Sequence, residues 1–384
     1  MKRIHVVHLT SVHSACDLRI LKECKSLAAA GYQVTLIAPH PCDEVIDGVQ
    51  VKGVPIVEGR LRRMTLTVWR VYREAVRQRA NIYHFHDPEL IPAGLLLKAR
   101  GKKVVYDAHE AYPQKILCKS WIPVKLRPIV SRLFAVVEHF ASVSLDHVIV
   151  ADRWTAATLP GRHITAVANY PTLAPMPHEE PEPASQSDKL TLIYAGGLDD
   201  DRGLQVMLEI AKIVTDRGIE LHLLGEFAKP EDERHTRELP NVRYFGFQPL
   251  EELYRHMRSA DLGLVLLQPV PAYSYAGENT NKLFEYMLCG LPVIASNFSN
   301  LRQIIKRARC GVCVDPKRPD QAARAILHLL GRAQLRKQLG ENGRNAVLKT
   351  YNWEAEENKL LNVYKSLVDG SSSAPLRSVP ECGD

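Results

Sequence analysis

Short apolar runs alternate with helical periodicities from the start of the chain. Residues 4–9 read as a strand, 18–30 as an amphipathic helix and 33–38 as a second strand, the βαβ order that builds a parallel sheet. The alternation continues through strand runs at 82–86, 103–107 and 148–150, with a helix over 92–99 and a long amphipathic region over about 126–145. A stretch dense in Pro, Glu and Ser follows, including Pro175-Met176-Pro177-His178-Glu179-Glu180-Pro181, and reads as a linker. A second series then begins at residues 190–195 and runs through 221–224, 242–245, 262–266 and 292–295. The expected fold class is α/β, with two Rossmann-like, doubly wound parallel-sheet domains facing a central cleft and ligands at the carboxyl ends of the strands. The expected division is a first domain over 1–170, a linker over 171–188, a second domain over 189–350, a final helix over 351–369 and a flexible tail over 370–384. A length of 384 residues suits two such domains.

Composition narrows the setting. Hydrophobic residues at 46% and charged residues at 24% are globular values. No run of some 18 uncharged apolar residues occurs, and the first strand run is short and interrupted by His5 and His8, unlike a signal peptide. A cytoplasmic protein is expected, peripheral on the inner face of the plasma membrane. The only close cysteine pair, Cys310-Gly311-Val312-Cys313, reads as a turn leading into a strand over 311–314, since zinc needs two further ligands. The formal charge of +7 is uneven: residues 1–178 hold 24 Lys and Arg against 14 Asp and Glu, and the remainder holds 26 against 29. A basic first half favours an anionic partner. Two basic segments mixed with aromatics, residues 60–79 and 119–127, are read either as solvated helix faces or as contacts to an anionic membrane surface. No nucleic acid is expected, because no binding module accompanies the charge.

The densest candidate chemistry is Thr280-Asn281-Lys282-Leu283-Phe284-Glu285-Tyr286. A helix starting near Thr280 offers backbone N–H groups and a positive dipole end to an anion, and Lys282 adds a full charge. Glu285, one turn further in, is an acceptor suited to a ribose diol, and Gly290 and Pro292 stop the helix before the strand 293–295. An ordinary helix-to-strand connection is the competing reading. Gly196-Gly197 after the first strand of the second half lets phosphate oxygens approach, with Arg202 nearby. Asp199-Asp200-Asp201 is read as a helix cap and not as a metal motif. In the first half, His84, His86, Asp87 and His109 follow strand runs; their ligand chemistry suits a metal hydrolase, but hydrogen-bonded structural histidines are the commoner outcome, and no metal is assigned.

The Thr280–Tyr286 pattern resembles the donor-site segment of retaining GT-B glycosyltransferases of the "group 1" family (family 4 like), in the T/P-N-K-L-F-E-Y branch, and the resemblance extends over about residues 1–367. It implies a GT-B architecture, with the final helix crossing back onto the first domain. It also implies transfer of a sugar from a UDP- or GDP-sugar without a metal or other cofactor, and domain closure that excludes water. The implied catalytic set is His109, Arg202, Lys282 and Glu285. The donor set is Gly196, Gly197, Arg202, Gly225, Gly246, Glu278, Thr280, Asn281, Lys282, Leu283 and Glu285. On the acceptor side stand His13, Asp17, Arg19, His86, Asp87, His109 and Glu110, Asp17 being equally well read as a helix N-cap. The chain departs from the family pattern at Gly277, where many members have Glu and this chain has Glu278 one place later, and at Gly197, where they have Arg. The loop 10–19 also lacks the glycines of relatives. The acceptor expected is a glycan or glycolipid, a lipid-linked oligosaccharide of O-antigen, capsule or exopolysaccharide assembly. A non-catalytic sugar-nucleotide-binding relative and a sugar-nucleotide epimerase remain as alternatives. The lack of G-x-G-x-x-G after the first strand argues against a nicotinamide dehydrogenase.

Overall fold

The computed structural model describes residues 3–173 and 189–369. The expected linker from 174 to 188 and the expected tail over 370–384 lie outside the described residues. The chain divides into two compact units, Met1–Asn169 with Glu356–Asp384, and Tyr170–Ala355.

The first unit is built on strands β1 His5–Leu9, β2 Gln33–Pro39, β3 Glu44–Ile46, β4 Val49–Val54, β5 Ile82–Phe85, β6 Lys103–Ala108, β7 His147–Val150 and β8 Ile164–Ala166. They lie in the order β3-β4-β2-β1-β5-β6-β7-β8. All pairs are parallel except β3 with β4. That antiparallel edge departs from the all-parallel expectation. Its cause is local: Asp47 and Gly48, both at positive φ, form a two-residue turn between Ile46 and Val49, a geometry whose twist suits a hairpin. The apolar residues of β1, β5, β6 and β7 are buried on one side with Tyr72, Leu90, Leu97 and Leu145. Helices α1 Leu18–Ala29, α2 Val68–Gln78, α3 Ile91–Ala99 and α4 Arg127–Ser144 surround this sheet.

Side chains two apart on a strand share a face, and this rule concentrates polar groups. His8 pairs in register with His84, and His84 with Val105. His8, His84, His86 and Asp107 therefore share one face of the sheet, and all four are fully buried.

The second unit is a six-stranded sheet of β9 Leu190–Ala195, β10 Ile219–Leu224, β11 Val242–Gly246, β12 Leu262–Val265, β13 Val293–Ser296 and β14 Gly311–Val314. The order is β11-β10-β9-β12-β13-β14, all parallel. Burial on both faces explains why β12 and β13 read as unbroken apolar runs, whereas the edge strand β11 carries the exposed Arg243 and Phe245. Their core takes Leu204, Met207 and Ile210 from α5 Leu204–Ile213, and Ile326 and Leu329 from a later helix. Cys310 and Cys313 fall at the turn and strand expected for them.

Helix α6 Asn281–Leu288 is held from behind by α7 Ala333–Lys349. Gly290 closes the end of α6 at φ 71, and a Cβ on Gly340 of α7 would lie 1.9 Å from the Gly290 carbonyl oxygen. The last helix, α8 Trp353–Asp369, starts in the second unit and continues in the first, where Tyr364 is buried with its hydroxyl 2.9 Å from His84 Nδ1. Because Ala is intrinsically the better helix former, Gly340→Ala separates two effects. The steric contact is expected to win and destabilise the protein by about 2 kcal/mol in urea unfolding; a gain in stability would show that the two backbones are not so tightly apposed.

Candidate functional site

Three glycines stand at the carboxyl ends of the adjacent strands β9, β10 and β11. The Gly196 N–H bonds Leu224 O at 2.9 Å, and the Gly225 N–H bonds Gly246 O at 2.8 Å. Gly196 and Gly225 have φ of 138 and 132, a region open to glycine. A Cβ on Gly225 would meet Gly196 O at 2.0 Å, so no larger residue fits this turn.

Helix α6 aims its start at the same turn. Tyr286, fully buried, passes its ring over Gly263, where a Cβ would lie 2.5 Å away, and its hydroxyl accepts the Ala195 N–H at 2.9 Å. Phe284 packs against Tyr170 and Tyr351. With that side of the helix fixed, Lys282 projects over the glycine turn: its Nζ bonds the Tyr194 hydroxyl at 2.7 Å, above the ring at 4.1 Å from the centroid. The Tyr194 hydroxyl donates onward to Gly197 O at 2.9 Å. Cβ atoms built on Gly196 and Gly197 would lie 2.9 Å from Lys282 Nζ and from Arg202 Nη1. The two cations thus occupy space that the missing side chains vacate.

Their charges are tuned by what surrounds them. Burial, and then the nearby Arg202 guanidinium, lower the Lys282 ammonium to about 7, against the opposing pull of Glu285 and Asp199. Arg202 is paired with Asp199, which also accepts the Arg202 N–H at 2.8 Å. Asp199 thereby caps the short turn Asp200–Arg202, as expected of a cap. Thr280 is the N-cap of α6 and makes no side-chain cap bond, so the first N–H groups of the helix are not taken by its hydroxyl. Asn281 is exposed, Glu285 lies one turn in and half-buried, and Glu278 is buried. The Leu283 side chain is fully buried, and its N–H bonds Thr280 O at 3.0 Å.

In the first unit, His13, His86, Asp87, His109 and Glu110 line one cavity of about 150 Å³ with Arg63, Glu89 and Lys119. Asp87 accepts from the Thr10 hydroxyl at 2.7 Å and from the Ser11 N–H at 2.6 Å, which fixes the loop before α1 by side chain. His13 bridges Asp17 and Asp87 at 3.2 and 3.3 Å. Although its burial works the other way, the bond to Asp17 and the charges of Asp87 and Asp17 raise its pKa. Glu110 pairs with Lys115.

Two expected acceptor-side residues lie off this cavity. Asp17 caps α1, accepting the N–H groups of Arg19 and Ile20, and is held near 2, against its burial, by the bond from His13. Arg19 is buried beneath, in a fork to Asp107 (Nε to Oδ2 at 2.9 Å, Nη2 to Oδ1 at 2.8 Å), with Nη1 on Val167 O at 3.0 Å. Asp107 also receives His86 Nδ1 at 2.9 Å and stands 3.5 Å from His109 Nδ1. Arg19 therefore works through Asp107, which orients both histidines.

Among the described residues one group has metal-ligand chemistry: His8, Glu23, His84 and His86, with ligand atoms within 4.8 Å of one another. It differs from the set weighed from sequence, since Asp87 and His109 are not in it. His8 and His86 already bond each other at 2.9 Å, His84 bonds Tyr364, and the Arg19 guanidinium stands 3.3 Å from Glu23. A cation beside the only carboxylate opposes a second cation there. The residues missed from sequence are Tyr194, Asp199 as partner of Arg202, His8 and Asp107 as the hub. The D-x-H-E spacing of Asp107, His109 and Glu110 was a signal for the last; an aromatic in a strand gave none for Tyr194.

Family models place the molecule. "Glycosyl transferases group 1" matches residues 176–346 and "Glycosyl transferase 4-like domain" residues 17–168, so each half of the chain matches a glycosyltransferase family model. It is similar to the phosphatidyl-myo-inositol mannosyltransferase of Mycobacterium leprae, 23% identical with 94% of this chain and 95% of that one covered. The chain spans about half the length of the first curated relatives it matches. Among solved structures it shares the GT-B fold with the sucrose-phosphate synthase of Thermosynechococcus elongatus, at a TM-score of 0.76 and 19% identity over 96% of this chain and 100% of that one. Anabaena HepE in complex with UDP and glucose gives a TM-score of 0.71 at 12% identity, over 95% and 100%.

Asp107→Asn leaves the buried Arg19 guanidinium half answered and is expected to cost about 3 kcal/mol or more in urea unfolding; a near-neutral change would remove Asp107 as the hub. For Lys282 the sign runs the other way. The folded chain binds this proton less readily than the unfolded chain, whose value is near 10.5. Lys282 therefore destabilises the ligand-free protein below pH about 7, and the penalty fades as pH rises toward 10.5. Lys282→Met is expected to raise the ligand-free melting temperature more at about pH 6 than at about pH 9, a comparison that differential scanning fluorimetry makes directly; a larger gain at the higher pH would contradict it.

Proposed function

We propose that the protein is a retaining, metal-independent glycosyltransferase that takes a sugar from a UDP- or GDP-sugar bound in the second unit and passes it to a lipid-linked glycan of surface polysaccharide assembly. One observation carries the donor assignment: Lys282 and Arg202 converge on the Gly196-Gly197 turn at the start of α6. As the bond from the anomeric carbon to the diphosphate breaks, its electron pair stays on the β-phosphate oxygen. There the two cations and the helix N–H groups answer charge as it develops, which is where such groups accelerate a reaction. A bound diphosphate also favours the protonated form of Lys282, replacing the solvation lost on burial. Glu285 is assigned to the ribose diol and His109 to the transferred sugar. The fold shared with HepE, which holds UDP and glucose, accommodates such a donor.

A membrane-borne acceptor is supported by the basic first half. The segments 60–79 and 119–127 meet, with the Arg60 guanidinium 4.4 Å from the centroid of the Trp121 ring, and Trp69 is exposed beside them. No helix of the described residues is long and apolar enough to cross a membrane, so attachment would be to the surface.

The test is a thermal-shift screen against nucleotide diphosphates and their sugars, followed by turnover with the stabilising donor. A ligand that binds only the folded state raises its melting temperature. Lys282→Ala and Glu285→Ala are each expected to reduce turnover by about a hundredfold, chelator is expected to leave it unchanged, and the product is expected to keep the donor's anomeric configuration. Near-normal rates in either variant would remove that residue from the assignment, and isomerised donor formed without acceptor would identify an epimerase instead.

A further inference from the structure

Helix α4 turns an apolar face outward. Leu126, Ile129, Leu133, Val136, Phe140 and Val143 follow one another at intervals of three and four residues, a continuous seam along one side of a helix, and all six are exposed, Leu133 by 64% and Val136 by 66%. Ser131, Glu138, Ala141 and Ser142 form the buried side instead. Scattered apolar residues at a surface need no explanation, but a stripe running the length of an eighteen-residue helix marks an interaction site.

The charges beside the seam select its occupant. Lys125, Arg132 and His139 recur at seven-residue intervals along its exposed edge. The one acid of the helix, Glu138, is buried and accepts the Tyr106 hydroxyl at 3.0 Å. A second copy laid antiparallel about a two-fold axis would set this cationic edge against itself. Laid parallel, it would set the edge against Val130 and Val137. Neither supplies a counter-charge. An anionic bilayer supplies both hydrocarbon for the seam and phosphate for the cations. Just before the helix, Val124 and Trp121 are exposed as well, the latter an indole suited to headgroup depth.

We propose that the exposed face of α4 embeds in the boundary between headgroups and acyl chains of an anionic membrane and is the element that anchors the protein there. This rests on the reading of a membrane-borne acceptor and deepens it: attraction through the basic segments alone is screened by salt, whereas apolar insertion is not.

Sedimentation of the full chain with phosphatidylcholine vesicles, with and without phosphatidylglycerol, at low and high salt, tests it. Binding to anionic vesicles is expected to persist at high salt. The Leu133→Ser/Phe140→Ser variant is expected to lose about tenfold or more in partitioning with an unchanged melting temperature, since both side chains are exposed, while Arg60→Ser/Arg62→Ser weakens low-salt binding only. If the α4 variant sediments like the parent while the arginine variant does not, the α4 anchor is wrong and the electrostatic membrane contact stands. If no vesicle is bound, both fail. A dimer seen by light scattering that the α4 variant dissolves would show that a second copy covers this face, and would also overturn the proposal.

Discussion

A guanidinium buried as deeply as that of Arg19 has to be answered within hydrogen-bond distance, and the first unit is arranged around that answer. Asp107 meets it with both oxygens and joins α1 to β6, while Val167 O, just after β8, takes a third donor. Although Asp107 is buried, the Arg19 charge holds its carboxyl well below the usual carboxylate range, so it stays an acceptor for His86 and lies within reach of His109. A second carboxylate beside the same cation cannot share this advantage. Burial, and then the Asp107 charge, push the Glu23 carboxyl upward, against the opposing pull of Arg19, so the two carboxyls beside this guanidinium are driven in opposite directions. His8 and His84, desolvated on the same sheet face, are lowered well below their ordinary value. The result is a nearly neutral, closely bonded layer that holds His86 and His109 in fixed orientation beneath the cavity.

The second unit solves a different problem, which is to place positive charge next to a backbone turn without permanently neutralising it. Space comes from glycine: the absent side chains at Gly196 and Gly197 admit the ends of Lys282 and Arg202. Position comes from Tyr286, which pins α6 to the end of β9, and from Gly340, which lets α7 close on the helix from the other end. The two cations then differ in kind. Arg202 is held by Asp199 and stays charged, whereas Lys282 has an aromatic ring and a hydroxyl for company and is left near neutrality in its own titration. A bound diphosphate supplies what the fold withholds from Lys282.

Much of this was legible along the chain. Every strand of the second unit begins within two residues of its expected start; for β12 and β13 the reason is that a strand covered on both faces leaves an unbroken apolar run. The start of α6, with Thr280, Lys282 and Glu285 in sequence, was legible because helix starts are announced by neighbouring residues. The hairpin β3–β4 was announced too, by Asp47-Gly48, and was passed over because its strands are short and half exposed. The burial of Leu283 was not legible, because proximity in sequence to a helix start does not say on which side of the helix a residue lies.

The sequence by itself determined the alternation of the main strands and helices, the break into two α/β units, the basic character of the first half and the segment whose polar groups gather at a helix start, since each depends on spacing between near neighbours. Only the tertiary structure decided that Arg19 belongs to a buried pair and not to a ligand, that His8 completes a layer with residues more than seventy positions away, that Lys282 meets Tyr194, and that α4 keeps its apolar side in the open. Those outcomes are set by which surfaces the packed sheets cover. Burial in turn decides which charges are desolvated and which partners are close enough to answer them, and neither can be summed from one stretch of chain.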